Sequence, residues 1–492
     1  MGLHKSLAFA LMLLVVITVA VASSEKYTIV NASEVMAAIG ANESLDYNHI
    51  TLEGDLELDN SVIIPQIKIR NSVVKGLIHF NHTVFDSNID LSGSQFNNNV
   101  YLTNARFNGS AIFTGTIFNG TSNFQSSDFN SSASFKDSNF ISVAKFRESN
   151  FKSDVDFTNS NFGSRAEFYN SNFYYIAEFS GSKFNSDVYF HGSKFGNAVD
   201  FTRSTFSNYV DFRESIFNDS TYFTQSKFNG DSDFKECIFN KDTNFKSSDY
   251  NTTKFDCSKF NGNTDFSNSR FNKDAHFVKV EFSNNAYFIN SEFRRNASFD
   301  ESKFEDVFLE GAIIEELHLA KTEYNKMYIR DRSIKNFYYD DTAYLLLIQN
   351  FKCLGFFDDA DSFYFKYRKA HLRNQLNTRS KYAILNLIFL VLGGFGVKPG
   401  YPIVTGFISI ILVVCYIYFK DEDQTSKATL IISIKLLLSG AGSVIPVLGG
   451  LYDSIKEYSI VQNHMRIVFF LRLLGSVLFG MLLIILGNII IR

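Results

Sequence analysis

Residues 144–184 read AKFRESNFKSDVDFTNSNFGSRAEFYNSNFYYIAEFSGSKF, and they decide the fold. Phe146, Phe151, Phe157, Phe162, Phe168, Phe173, Phe179 and Phe184 follow one another at alternating steps of five and six. Working outward, the same beat reaches back through Phe118, Phe113, Phe107 and Leu102 to Leu52, and forward to Phe299 and Phe304. A fixed period over half a chain is the mark of a solenoid. Most of the 54 Phe residues serve this one pattern, and the chain has no Trp and only 4 Pro.

Two sub-repeats alternate. In one, the residue two before the Phe is small or β-branched, as in Ala144, Val155, Ala166 and Val199. In the other it is nearly always Ser, as in Ser149, Ser160, Ser171 and Ser182. A spacing of two puts the large and the small residue on one face of an extended segment. The residues between them are Asn, Asp, Lys, Gly and Arg, which suit turns and solvent. A turn every five or six residues excludes helix and excludes long strands.

These motifs, for example Ala177-Glu178-Phe179-Ser180-Gly181 and Ser182-Lys183-Phe184-Asn185, resemble those of the pentapeptide-repeat family in its Phe-rich form. The resemblance covers about residues 50–320. It implies an all-β solenoid: a right-handed quadrilateral β-helix with Phe stacked in ladders inside. About 22 residues per coil give about 11–12 coils. The expected organisation is an N-terminal cap over 23–49, the β-helix over 50–330, a helical connector over 338–381 and an α-helical membrane domain over 382–492. Ser33–Ile39, ending at Gly40, reads as a short helix in the cap.

One residue is missing between Tyr250 and Phe255, which predicts a kink or an altered coil there. Cys237 takes a small inward position. Because of the missing residue its stacked partner should be Ser258 and not Cys257, so a buried thiol is expected in preference to a disulfide. Four cysteines in 492 residues make no disulfide framework.

Residues 1–22 read as an export signal: His4 and Lys5, an apolar run, then Ala20 and Ala22 before Ser23. An uncleaved anchor is the rival reading. Either way the repeat is expected outside the cell. Asn-x-Ser/Thr triplets occur from Asn31 to Asn296, at a frequency that this Asn- and Ser-rich composition produces by chance.

The last third changes character. Tyr344–Ile348 with Phe351 recurs at helical spacing, and Asp358 and Asp359 stand where they could cap a second helix through Ala360, Phe363 and Tyr367. That helix ends in Lys366, Arg368, Lys369, Arg373, Arg379 and Lys381, which suits a membrane surface and, in a functional reading, anionic lipid head groups. Tyr401–Phe419 and Ile467–Ile491 are long enough to span a bilayer, while Tyr382–Val397 is short and 428–450 is Gly-rich and interrupted by Lys435 and Pro446. This layout is similar to the two-helix ion-channel-like module attached to some pentapeptide repeats. The likeness rests on Gly396–Gly400, Gly440–Pro446 and the Gly475–Gly487 stretch, with a pore-like loop at Ser439, Gly440, Ala441, Gly442 and Ser443. Against a potassium filter, Ala441 replaces Tyr and Ser443 replaces Asp, so potassium selectivity does not carry over. If Tyr382–Val397 spans, the loop opens outward as in ordinary channels. If it lies on the surface, the loop is inverted and a pore is disfavoured.

The net charge of −4, with acids and bases interspersed along the repeat, excludes nucleic acid as a partner. Scattered His, no phosphate loop and no nucleophile elbow predict no enzyme, no metal and no cofactor. The expected role is a membrane-anchored cell-surface scaffold. Its partners would be membrane lipids and, on the rod, a surface protein or polysaccharide. The alternative is an ion channel or sensor, a homo-oligomer and as a channel a tetramer, with a degenerate pore coupled to the repeats.

Overall fold

The computed structural model describes residues 27–420, 426–443, 446–458, 461–462 and 464–490. The export-signal reading of residues 1–22 and the loop positions Val444 and Ile445 lie outside the described residues. The chain forms two compact units. One is a parallel β-solenoid running to Ile329 and taking in Ser333–Tyr338; the other is helical and comprises Arg330–Arg332 and the chain from Tyr339 onward.

Between Val73 and Tyr287 each coil of the solenoid contains four two-residue strands. One coil holds Asn150–Phe151, Val155–Asp156, Asn161–Phe162 and Ala166–Glu167. Each pairs in parallel with the equivalent strand of the next coil, Asn150 with Asn172, Val155 with Ala177, Asn161 with Lys183 and Ala166 with Val188. Every backbone side therefore finds its hydrogen bonds one coil away, which is what lets strands this short persist. The recurring Phe residues fill the interior. Phe124, Phe146, Phe168 and Phe190 stack at 4.9, 5.0 and 4.8 Å between ring centroids, with planes within 6° of parallel. Centroids separated by a full coil rise, yet rings in contact, require the rings to lie inclined and offset, the favoured geometry for aromatic pairs. Neighbouring columns meet edge to face, as Phe146 and Phe157 do at 5.3 Å and 85°. Each buried ring contributes roughly 1.5–3 kcal/mol.

The structure explains why one sub-repeat demands Ser. At the corner Phe157–Ser160 the Ser160 N–H donates to the Phe157 carbonyl (3.0 Å), and Asn159 has φ of 57°. This is a type II turn. The buried Ser160 hydroxyl then donates to the Phe135 carbonyl of the previous coil at 2.6 Å. Ser149, Ser171 and Ser193 repeat the bond to Phe124, Phe146 and Phe168 at 2.7, 2.5 and 2.6 Å. A carbonyl has two lone pairs, and this bond fills the second.

The missing residue is removed from a corner. Asp249–Tyr250 and Thr253–Lys254 are separated by two residues, where Lys227–Phe228 and Ser232–Asp233 are separated by three. The coil is altered, and Ser232 pairs with Thr253. The aromatic ladder is not kinked: Phe234 and Phe255 still stack at 4.8 Å and 7°. The Cys237 N–H donates to Ser258 Oγ at 3.0 Å, so Ser258 is its stacked partner, and Cys237 and Cys257 are both free thiols. Burial pushes the Cys237 thiol well up from its ordinary pKa, which makes it unreactive.

The solenoid has about 14 turns, more than the 11–12 expected. The extra coils lie at its ends, where Phe is not the repeating residue. Thr28–Asn31 already pairs with Ile50–Glu53, and helix α1 (Ala32–Gly40) follows it, burying Val35 and Ile39. At the other end strands lengthen to six residues, as in Ile313–His318 and Glu323–Tyr328. There the turn on one side of the coil is lost, and Ile314, Leu319 and Ile329 replace Phe in the core.

In the helical unit, α2 (Asp341–Cys353) and α3 (Phe357–Asn377) pack through Phe351 and Phe363, edge to face at 5.7 Å. Asp340, one residue before α2, accepts the Ala343 N–H at 2.8 Å and caps it. The expected cap of α3 by Asp358 or Asp359 is not made. Asp359 instead accepts from Arg330 Nε at 2.6 Å and from the Asp331 N–H at 3.0 Å. Asp331 in turn holds Lys366 at 2.6 Å. There follow α4 (Tyr382–Gly393), α5 (Gly400–Lys420), α6 (Ser426–Ser439), α7 (Pro446–Asp453) and α8 (Met465–Ile490).

Candidate functional site

Among the described residues two helices are long and apolar enough to cross a membrane, over Gly400–Ile417 and Met465–Gly487. Only 28% and 22% of these windows are buried. Phe407, Leu412, Phe469 and Ile484 are each more than three-fifths exposed. At 12 residues α4 reaches only about 18 Å, short of a hydrocarbon core of about 30 Å.

The five pore-like residues come together in one place. α6 ends at Ser439, and Gly440–Ser443 form a single 3₁₀ turn before α7. The Ser439 hydroxyl folds back to the Leu436 carbonyl at 2.8 Å, and Ala441 is buried. Gly440 lies directly on α8, where a Cβ would strike the Arg472 carbonyl; one turn on, a Cβ at Gly475 would strike the Leu437 carbonyl. Such small residues let helix backbones approach in a membrane. The Ser476 hydroxyl donates to the Gly440 carbonyl. Gly442 sits against Gly449 of α7 in the same close manner. Within one chain the turn is therefore a packing element, with one of its carbonyls already bonded.

A cavity of about 520 Å³ opens beside it, lined in part by Gly440, Gly442, Tyr452, Arg472 and Ser476. The Arg472 guanidinium lies 4.1 Å from the Tyr452 ring centroid. Sequence reasoning missed this residue, although a lone cation inside the apolar run Ile467–Ile491 is legible and such groups mark polar interiors.

The rod carries two further features. On one face the buried Asp211 receives Arg213 through two bonds, 2.9 and 2.7 Å, which drives the Arg213 pKa up, and His191 Nδ1 lies 3.6 Å from the same carboxylate. Burial, then the charges of Asp211 and Asp233, pushes the Tyr209 phenol up to about 12. On another face Asp156, Glu178 and Asp200 are in register on successive coils. Burial first, and then Asp200, Asp156 and Asp154, raise the Glu178 pKa. Among the described residues no group of His, Cys, Asp and Glu is arranged to hold a metal ion.

A family model for pentapeptide repeats (9 copies) matches residues 80–128, 124–172, 168–216, 201–249 and 277–323. The rod is built of pentapeptide repeats. The stretch between 249 and 277 that the matches skip contains the shortened corner at 251–252. No curated protein and no solved structure matches the chain.

Proposed function

We propose that this protein is a membrane-anchored scaffold at the cell surface, its pentapeptide-repeat rod presenting polar faces to a surface protein or polysaccharide. The observation that carries the reading is the unburied apolar surface of α5 and α8, which lipid would cover. The rod's outer groups also bond to one another from coil to coil, as in Asn108 to Asn130 at 2.8 Å and Asn150 to Asn172 at 2.9 Å, which suits a stiff spacer. Alkaline carbonate extraction of membranes tests the anchor: the full chain should stay in the pellet, and release into the supernatant would sink it. Protease added to intact cells tests the surface placement. The rod should be cut, and its survival beside digested controls would overturn that part.

The second reading, a channel or sensor, is favoured by the broken segment α6–Gly440–α7 between two long apolar helices and by the cavity at Arg472. Against it, the shortness of α4 supports the inverted loop. Planar-bilayer recording of the purified protein discriminates: discrete currents would replace the anchor reading with a channel. Enlarging Gly440 does not discriminate, because that residue packs on α8 whether or not ions pass.

A further inference from the structure

From Ser362 to Lys420 the chain contains no Asp or Glu, while Lys366, Arg368, Lys369, Arg373, Arg379, Lys381, Lys398 and Lys420 all fall within it. Lys366 is neutralised by Asp331. Arg368 turns inward, donating to Asn386 Oδ1 at 2.5 Å with its guanidinium 5.0 Å from the Phe395 ring centroid. Lys369 of α3 and Lys398, two residues before α5, converge on one ring. Their ammonium groups lie 5.6 and 5.7 Å from the Phe365 centroid, and neither has a carboxylate in ion-pair range among the described residues. Phe365 also meets Tyr401 at 5.6 Å and Phe395 at 6.1 Å, so the two cations stand at an aromatic collar. A cavity of about 530 Å³ adjoins the collar at Lys398 and Tyr401 and is lined further by Val391 of α4 and by Pro399, Val404 and Ile408.

Two cations on one aromatic ring with no carboxylate in ion-pair range among the described residues leave positive charge for an anion to neutralise, and an apolar groove beginning at Lys398 has the shape of an acyl-chain site. We propose that this is a binding site for one anionic phospholipid, with its phosphate between Lys369 and Lys398 and a chain along the α4–α5 groove. Lipid recognition by basic clusters at a helix end follows the same electrostatics. Tyr401 in the collar fits the interfacial preference of Tyr for the head-group level. The inference rests on the membrane-anchor reading and names the lipid class that anchor prefers.

The test uses full-length protein in a neutral detergent, after carbonate extraction has shown it to be an integral membrane protein. Release at that step would sink the anchor, separately from the lipid site. Retention of phosphatidylglycerol and of phosphatidylcholine is then compared by native mass spectrometry. The wild type should hold phosphatidylglycerol about thirtyfold more tightly, the effect of two cations, and Lys369→Gln/Lys398→Gln should lose that preference. Arg373→Gln, a cation of α3 outside the collar, should keep it. Thermal melts confirm that each variant is folded, and Lys398→Arg, which preserves charge, should behave as wild type. Equal retention of the two lipids overturns the proposal, as does equal loss in Arg373→Gln, which would mean diffuse attraction. Displacement of the lipid by inorganic phosphate at the lipid's own concentration would make the site one for a soluble anion and overturn it too.

Discussion

The rod and the helical unit absorb change in opposite ways. In the rod a whole residue is lost at 251–252, and the core above and below it is undisturbed: Phe228 stacks on Tyr250 at 4.9 Å and Phe234 on Phe255 at 4.8 Å. In the helical unit a single added methyl at Gly440 or Gly475 would collide with the backbone of a neighbouring helix. The rod separates its duties, with packing on the sides and length adjustment at the corners. The helices have no such division, because the residues that set their spacing are also the residues in contact.

Four measurements would break or sharpen that contrast. The largest effect is expected inside a rod side. Phe168→Ala removes one ring from an uninterrupted column and should cost about 3–5 kcal/mol in chemical denaturation. Because coils contact only their neighbours, its effect should add to that of Phe277→Ala. Strong coupling between these two sites would mean the coils are not independent. Next, Gly475→Leu should separate α8 from α6 and cost about 1–3 kcal/mol, read as an earlier loss of helical circular dichroism in detergent. An unchanged melt would show that the helix contact is loose. Smaller again, Ser171→Ala removes the bond to the Phe146 carbonyl, which still accepts the Ser149 N–H, so about 1 kcal/mol is expected.

The smallest effect has the opposite sign. The Glu178 pKa is raised in the folded state, so the folded protein binds more protons than the unfolded chain between the ordinary carboxylate value and the raised one. Stability therefore falls as pH rises through that window. Glu178→Gln should raise the melting temperature slightly at neutral pH, and the gain should vanish once the medium is acidic enough to protonate the unfolded carboxyl. A gain independent of pH would remove charge as its cause.

The rod's architecture was legible because its physics repeats. The steps of five and six residues state the coil, and the count around Tyr250 named Ser258 as the partner of Cys237. The reason for Ser at one set of positions was not legible, since the acceptor carbonyl lies 25 residues upstream, as Phe135 does for Ser160. The end coils were hidden for another reason. Ile, Leu and Val fill the same interior with less regular spacing, so the repeat reads as shorter than it is. In the helical unit the spans Gly400–Ile417 and Met465–Gly487 were visible as apolar length, while the seat of Ser439–Ser443 on α8 depends on tertiary contacts that no local pattern encodes. Asp359 shows the same limit: its position suggested a helix cap, and a distant arginine claimed it.

The corner that lost a residue leaves the stacking of the ladder intact. A column whose stacking survives a shortened corner should also survive the removal or duplication of an entire coil, since successive Phe coils present equivalent surfaces to their neighbours. Excising residues 146–167 would join Lys145 to Phe168 and bring Phe124 onto Phe168, shortening the shaft by one notch of about 4.8 Å. A lineage could thus set the reach of this protein in fixed increments by gene slippage alone, which makes the rod a molecular ruler whose graduations are written in phenylalanine.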